Sequence, residues 1–306
     1  MTHTLLCFGY GYTARALARV LLPQGWGVIG TTRRPVSLAE IATTGATGLL
    51  WPAEKAKNGM DLGTDTDVDI YASLDSASHV LISAAPDQNG DPVLQALMDA
   101  ITQAAPRLAW LGYLSTTGVY GDSGGDWVTE KTPITPSTLR GQRRQEAEQA
   151  WCAIPGLALH IFRLAGIYGP GRGPFAKLRA GTARRVIKPG QMFSRIHVDD
   201  IAQVLAASIK RPNPSAIYNV CDDRPAPPQD VISYAAELLG MPSPPEVPFE
   251  QAEMSPMARS FYSESKRIRN DRIKSELGVT LLYKDYQSVL TAMLKSERDS
   301  AVEQGD

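Results

Sequence analysis

The chain has 306 residues, of which 43% are hydrophobic and 21% charged, and a formal net charge of −1. That length can bury a large core in one domain or two, and a near-neutral balance with no polybasic run offers no field for nucleic acid or an anionic membrane. Cys7, Cys152 and Cys221 are widely spaced, with no CxxC and no histidine pair nearby, so they read as thiols of a reducing compartment and not as metal ligands. No apolar run approaches the ~20 residues of a membrane span, and the chain commits to Gly9 too early for a signal peptide. A cytoplasmic protein with small-molecule partners is expected.

In chain order, Leu5-Leu6-Cys7-Phe8 predicts a first strand that enters Gly9-Tyr10-Gly11-Tyr12-Thr13-Ala14. Ala16 to Leu22 then carries apolar residues at helical spacing, Gly25 follows, and Gly27 to Thr32 predicts a second strand. This strand–turn–helix–strand pattern is that of a dinucleotide-binding turn. Gly9 lets the chain leave the strand sharply, Gly11 lets the backbone approach a pyrophosphate, and Ala14 lets the helix pack closely. The helix N-terminus would face the phosphates with free N–H groups. Gly9, Tyr10, Gly11, Tyr12 and Thr13 are therefore candidate cofactor-binding residues. A glycine turn without ligand is the alternative, which the flanking elements argue against.

The end of the second strand bears on which dinucleotide is bound, because an acid there would hold the adenosine ribose and repel a 2′-phosphate. The residues are Thr31, Thr32, Arg33 and Arg34, and the nearest acid is Glu40. Thr32, Arg33 and Arg34 suit a phosphate monoester, which favours NADP over NAD. A solvated loop is the other reading of the arginines.

Gly48 to Trp51, His79 to Pro86, Leu108 to Ser115 and Leu157 to Arg163 predict four further strands, with a helix at Asp91–Ala104 and another to which Arg144–Trp151 belongs, Ser137 and Thr138 being its capping candidates. The alternation predicts an α/β fold, a Rossmann-like doubly wound parallel sheet with ligands beyond the carboxyl ends of its strands. From about Gly169 prolines and glycines loosen the pattern. A smaller C-terminal substrate domain over 169–306 is expected after a dinucleotide-binding domain over 1–168, with 197–221 returning to the sheet. Asp299 to Asp306 is polar and expected to fray.

Four segments combine with the glycine turn: Ser115-Thr116-Thr117-Gly118-Val119-Tyr120-Gly121; Arg163-Leu164-Ala165-Gly166-Ile167-Tyr168-Gly169-Pro170-Gly171; Arg195-Ile196-His197-Val198-Asp199-Asp200-Ile201-Ala202; and Tyr218-Asn219-Val220. Together they resemble the extended short-chain dehydrogenase/reductase family, which includes NAD-dependent epimerases and dehydratases, over nearly the whole chain. The resemblance implies that Ala84, Ala85 and Pro86 line the cofactor and that Thr116 holds the substrate oxygen. Ser115 would lie in the strand beside it, as a further cofactor-binding candidate. It also suggests a homodimer through helices of the sheet domain, although the apolar stripes are equally explained as core.

The sequence departs from the family at its Tyr-x-x-x-Lys. Counting back from Ala147-Glu148 puts Arg140 at the tyrosine position and Arg144 at the lysine position. A guanidinium stays protonated and is a poor acid or base. Arg144 is an electrostatic substitute for the lysine, part of a grip on a substrate anion with Arg140 and Arg143, or part of a solvated face paired with Glu146 and Glu148. Tyr120, and less so Tyr168, is available to replace the lost phenol. Thr117 and Gly118 stand where dehydratases of the family carry an Asp-Glu pair, which disfavours sugar dehydration. Asp199 and Asp200 read as acids opening a helix. Arg172, Arg179, Arg184, Arg185 and Lys188 make the middle of the second domain basic, for an anionic substrate or for a solvated flap.

Three functions remain open on sequence. The first is an NAD(P)-dependent oxidoreductase or epimerase-like enzyme, transferring hydride to or from a small carbonyl or sugar-like substrate with Thr116, Tyr120 and Arg144 as its candidate catalytic residues. The second is an NADP(H)-binding regulator or sensor without turnover. The third is an interaction scaffold.

Overall fold

The computed structural model describes residues 3–51 and 65–303. Its center is a sheet of seven strands, every neighbouring pair parallel. In chain order these are β1 (Thr4–Phe8), β2 (Gly27–Thr32), β3 (Thr47–Leu50), β4 (His79–Ile82), β5 (Trp110–Thr116), β6 (Leu159–Leu164) and β7 (Ile217–Val220). Across the sheet the order is β7-β6-β5-β4-β1-β2-β3. The chain winds outward from β1 in one direction and from β4 in the other, so a crevice opens where the direction reverses. Register is set there by Cys7, which sits opposite Gly30 on one side and Leu81 on the other.

A parallel sheet covered on both faces needs apolar residues on both, which is why β4 and β6 are buried along their whole length. The coverings are α1 (Tyr12–Leu21), α2 (Val36–Ala42), α3 (Asp65–Ser76), α4 (Pro92–Ala104) and α5 (Leu139–Cys152), joined after β6 by α6 (Phe175–Arg179) and α7 (Val198–Lys210). On one face Leu5, Cys7, Leu17 and Leu81 pack with Ile201 and Leu205 of α7, which lies against α1. On the other, Leu6, Phe8, Val80 and Ile82 pack with Leu97, Ile101 and Trp151. A third cluster holds Tyr168, Phe175, Val231, Ala235 and Leu290 beyond the strand ends. It is built from α6, α8 (Pro228–Leu238) and α11 (Tyr286–Glu303), while α9 (Pro256–Phe261) and α10 (Asp271–Ser275) complete the chain.

The doubly wound sheet predicted from alternation is present, with β7 as a strand beyond the six expected. The helix through Arg144–Trp151 starts at Leu139, directly after the capping candidates Ser137 and Thr138, with the Thr138 hydroxyl accepting from the Gly141 N–H at 3.2 Å. Gly141 is a packing residue: a Cβ there would lie 2.7 Å from the Gly118 carbonyl oxygen. The tail expected to fray from Asp299 is helical through Glu303, and 304–306 lie outside the described residues. No helix among the described residues is long and apolar enough to cross a membrane.

Candidate active site

Gly9 leaves β1 with φ +87°, a conformation that penalises any side chain, and a Cβ there would lie 3.2 Å from the backbone nitrogen of Ala84. Its N–H donates to the Thr31 hydroxyl at 2.9 Å. Gly11 is different: its backbone is extended, and nothing lies within 4 Å of where a Cβ would be. It occupies the N-cap position of α1 without a side-chain cap, so the first N–H groups of the helix open into the crevice. A tight turn, an open approach and an uncapped helix end are what a dinucleotide pyrophosphate requires, and these residues fit one.

Of the other residues expected here, Tyr12 and Thr13 line the cavity at the strand ends. The Tyr12 hydroxyl donates to the Pro170 carbonyl at 2.9 Å, and the Arg172 guanidinium lies 4.6 Å over its ring, so the loop after β6 reaches across to the turn. Tyr10 points away: it is buried against Gly30, and its hydroxyl pairs with that of Thr44 at 2.8 Å. At the end of β2, Arg33 and Arg34 are exposed, and the Thr32 hydroxyl accepts from the Arg34 N–H at 3.2 Å. Neither arginine has a carboxylate partner among the described residues, whereas Glu40 is held by Arg15 at 3.1 Å. After β4 the Ala84 N–H donates to the Phe8 carbonyl at 3.0 Å, and Ala85 and Pro86 lead away from the sheet.

Thr116 ends β5 and caps a single 3-10 turn, its oxygen accepting from the Gly118 N–H at 3.1 Å. Its own hydroxyl proton has no acceptor among the described residues, and the residue lines the cavity with Thr117. Arg144, from α5, lines the same space and donates to the Tyr113 hydroxyl at 3.2 Å and the Leu114 carbonyl at 2.5 Å. Arg140, one turn earlier, stacks 4.5 Å over Phe261 of α9. The solvated pairing of these arginines with Glu148 is absent, because Glu148 is buried and belongs to Arg163.

That buried cluster takes two more of the expected residues. Arg163 donates to Glu148 at 2.7 Å and to the Tyr120 hydroxyl at 3.0 Å, and Tyr120 donates to Asn219 Oδ1 at 2.7 Å. Ser115 donates to Glu148 at 2.5 Å. Tyr120 is 1% exposed, and burial raises its pKa against the opposing pull of Arg163. The structure therefore does not bring the Tyr120 phenol to the cavity. Tyr168 does line it, but its hydroxyl donates to Asp222 at 2.8 Å, and burial with the Asp222 charge pushes the phenol further up. Asp222 itself is raised to about 7 by burial. His197 caps α7, Asp199 pairs with Arg19 at 3.0 Å, and Asp200 accepts from the N–H groups of Leu282 and Tyr283.

Sequence reasoning passed over what the C-terminal part delivers to this cavity of about 1070 Å³. Lys266, 8% exposed, donates to the Gly121 carbonyl at 2.5 Å and to Glu264 at 2.6 Å, and burial lowers its pKa against the pull of Glu264. Glu264 also accepts from Ser137 at 2.7 Å. Arg195 donates to the carbonyls of Phe193 and Ala226, both at 3.1 Å. The only signal for Lys266 is its place in the short strand Arg267–Ile268 region, which pairs with Trp127–Val128, a pairing no periodicity announces.

The family model for NAD dependent epimerases and dehydratases matches residues 9–221. Protein YeeZ of Escherichia coli K12 is 31% identical over 282 residues, 90% of this chain and 95% of that protein. A conserved protein of unknown function from Silicibacter pomeroyi is 59% identical, with a TM-score of 0.88 over 96% of this chain and 99% of its own. The human epimerase family protein crystallised with NADPH is 16% identical, with a TM-score of 0.73 over 95% of this chain and 99% of its own, a likeness of fold.

Proposed function

Because this chain belongs to the NAD dependent epimerase/dehydratase family, we propose that it is an NADP(H)-dependent oxidoreductase acting at a carbonyl or carbinol carbon of a small molecule in the cytoplasm. The observation that carries the reading is Thr116, whose uncommitted hydroxyl proton lies in the same cavity as the uncapped N-terminus of α1. A nicotinamide, when bound, would accept or give the hydride. Gly11, Tyr12 and Thr13 would hold the pyrophosphate, and Arg33 and Arg34 the 2′-phosphate. The family description and the NADPH of the human neighbour support a nicotinamide cofactor; the preference for NADP rests on the two exposed arginines.

Thr116 would donate a hydrogen bond to the reacting oxygen. Arg144, a guanidinium with donors and no acceptor, would hold positive potential on the Leu114 carbonyl side of the cavity. With Tyr120 locked to Arg163 and Asn219, proton exchange falls to Lys266, which burial makes easier to deprotonate and which Glu264 holds against the Gly121 carbonyl.

NADPH consumption against a carbonyl panel is the test. Thr116→Ala should lower kcat about 100-fold with NADPH affinity unchanged, and Thr116→Ser should restore most of it. Unchanged turnover in Thr116→Ala removes this residue from the mechanism. One observation favours a second reading, a regulator that binds NADP(H) without turnover: neither Arg140 nor Arg144 can replace the family's proton relay. NADPH bound at micromolar concentration and oxidised by no carbonyl of the panel would establish it.

A further inference from the structure

Five arginines, Arg140, Arg144, Arg172, Arg184 and Arg195, line the one cavity, and none of them has a carboxylate partner among the described residues. They come from α5, the loop after β6 and the segment before α7, over the stretch of chain from Arg140 to Arg195. Several guanidiniums elsewhere are paired with carboxylates, Arg107 with Asp75, Arg163 with Glu148, Arg179 with Glu297, Arg185 with Glu246 and Arg272 with Glu276, although Arg211, Arg259 and Arg267 rest on carbonyls as the cavity arginines do. Those of the cavity rest on carbonyls and rings. Arg184 donates to the Gly181 and Ala183 carbonyls at 2.9 and 2.8 Å, Arg195 to two others, and Arg140 lies on Phe261. Arg140, Arg172 and Arg184 are exposed toward the cavity mouth and Arg144 and Arg195 are half-buried, so like charges gathered in one cleft repel and an incoming anion relieves them. Burial and the neighbouring Arg144 charge disfavour the cation of Arg140 against the pull of Glu264, and burial disfavours that of Arg195 against the pull of Asp222.

A dinucleotide would use only part of this charge. Gly11 and the N-terminus of α1 would hold its pyrophosphate, near Arg172 over the Tyr12 ring, and the resemblance sets Arg144 at the lysine position near the nicotinamide ribose. Arg140, Arg184 and Arg195 remain. Between them the wall carries Val186, Val231, Ile232, Met254, Phe261 and Tyr262, interspersed with Thr182, Ser194 and Ser260. Among the described lining residues there is no Asp, Asn, Gln or His, and of the two acids Glu264 is taken by Lys266, leaving Glu253. Guanidiniums only donate, so they match the acceptor-only oxygens of an oxyanion, while the hydroxyls of Thr182, Ser194 and Ser260 can donate or accept beside them.

We propose that the substrate is an organic oxyanion on an apolar or aromatic body, its carboxylate or phosphate gripped by Arg140, Arg184 and Arg195 and its body laid against Phe261, Tyr262 and Met254. This rests on the oxidoreductase reading for its chemistry, but its binding step is separable from turnover. Titration calorimetry of the NADPH-loaded protein with 4-hydroxycinnamate, its methyl ester, phenyl phosphate and UDP-glucose tests it. The cinnamate or the phenyl phosphate should bind at least tenfold more tightly than the neutral ester and more tightly than UDP-glucose, and the better of the two identifies the anion. Arg184→Met, at the cavity edge, and Arg195→Met should each weaken that ligand about tenfold or more, with NADPH affinity unchanged. The ester binding as well as the acid, UDP-glucose binding most tightly, or none binding while NADPH does would overturn the proposal and leave the dinucleotide site standing. Loss of NADPH binding itself would instead overturn the oxidoreductase reading.

Discussion

The interior of the sheet and the cavity above it hold positive charge in opposite ways. Under the cavity, Arg163 is 2% exposed, bonded to Glu148 at 2.7 Å and to Tyr120 at 3.0 Å, its donors directed at fixed acceptors. In the cavity, Arg140, Arg184 and Arg195 rest on rings and carbonyls and make no ion pair among the described residues, with Asp222 near Arg195 and Glu264 near Arg140. A buried guanidinium whose counter-charge is built in belongs to the fold; one without an ion pair is, on the proposal above, open to an incoming anion. The same division runs through the phenols, since Tyr120 is spent in the cluster below while Tyr12 stands at the cavity mouth.

Changes on either side of that line should behave differently. The largest effect on stability is expected from Glu148→Gln, which leaves Arg163 buried without its partner and should cost about 3–5 kcal/mol, read as a lowered denaturation midpoint. A cost near that of a surface change would mean the cluster is not the structural anchor described.

Asp222 lies beside Arg195 and accepts from Tyr168, so it sits on the boundary. Its folded pKa of about 7 is raised above the unfolded value by burial. The native state therefore binds more protons than the unfolded chain in this window, and stability falls as pH rises from about 4 to about 7, then levels, by roughly 2–4 kcal/mol. Asp222→Asn should flatten that part of the profile; a profile unchanged by the substitution would place the titration elsewhere.

Arg33→Ala with Arg34→Ala should weaken NADP about tenfold or more and leave NAD unchanged, measured by fluorescence titration. Equal losses for both dinucleotides would make the two arginines general electrostatics and not a 2′-phosphate site. The smallest effect belongs to Arg184→Met, which should move stability by no more than about 0.5 kcal/mol in either direction. A strong destabilisation would show that this cavity arginine is structural after all.

What could be read from sequence follows the same physics. The turn from Phe8 to Thr13 and the strand Gly27–Thr32 were legible because their chemistry is local: glycine positions, an apolar run and a helical stripe within a few turns of chain. Thr116 was legible through a motif. Lys266, Glu264 and Phe261 were not, since they reach the cavity across more than a hundred residues, through the pairing of Arg267–Ile268 with Trp127–Val128 and the stacking of Arg140 on Phe261. Tyr120 shows the converse. Its motif places it at a strand end beside Thr116, but which way the phenol points was decided by Arg163 and Asn219, far off in the chain. The start of α5 was legible only through its capping residues Ser137 and Thr138, since Gly141 and the arginines after it carry no apolar stripe and the helix is held there by its fit against Gly118.

The central claim is that the opening turn and the uncapped end of α1 hold a nicotinamide dinucleotide. Gly11→Val tests it directly, because that position has extended backbone with nothing within 4 Å of a Cβ, so the substitution leaves the fold intact and fills only the approach. NADPH titration beside a melting curve should show wild-type binding at micromolar concentration and the variant weaker by about 100-fold or more, with both proteins melting together. A Gly11→Val protein that binds NADPH as the wild type does would contradict the account.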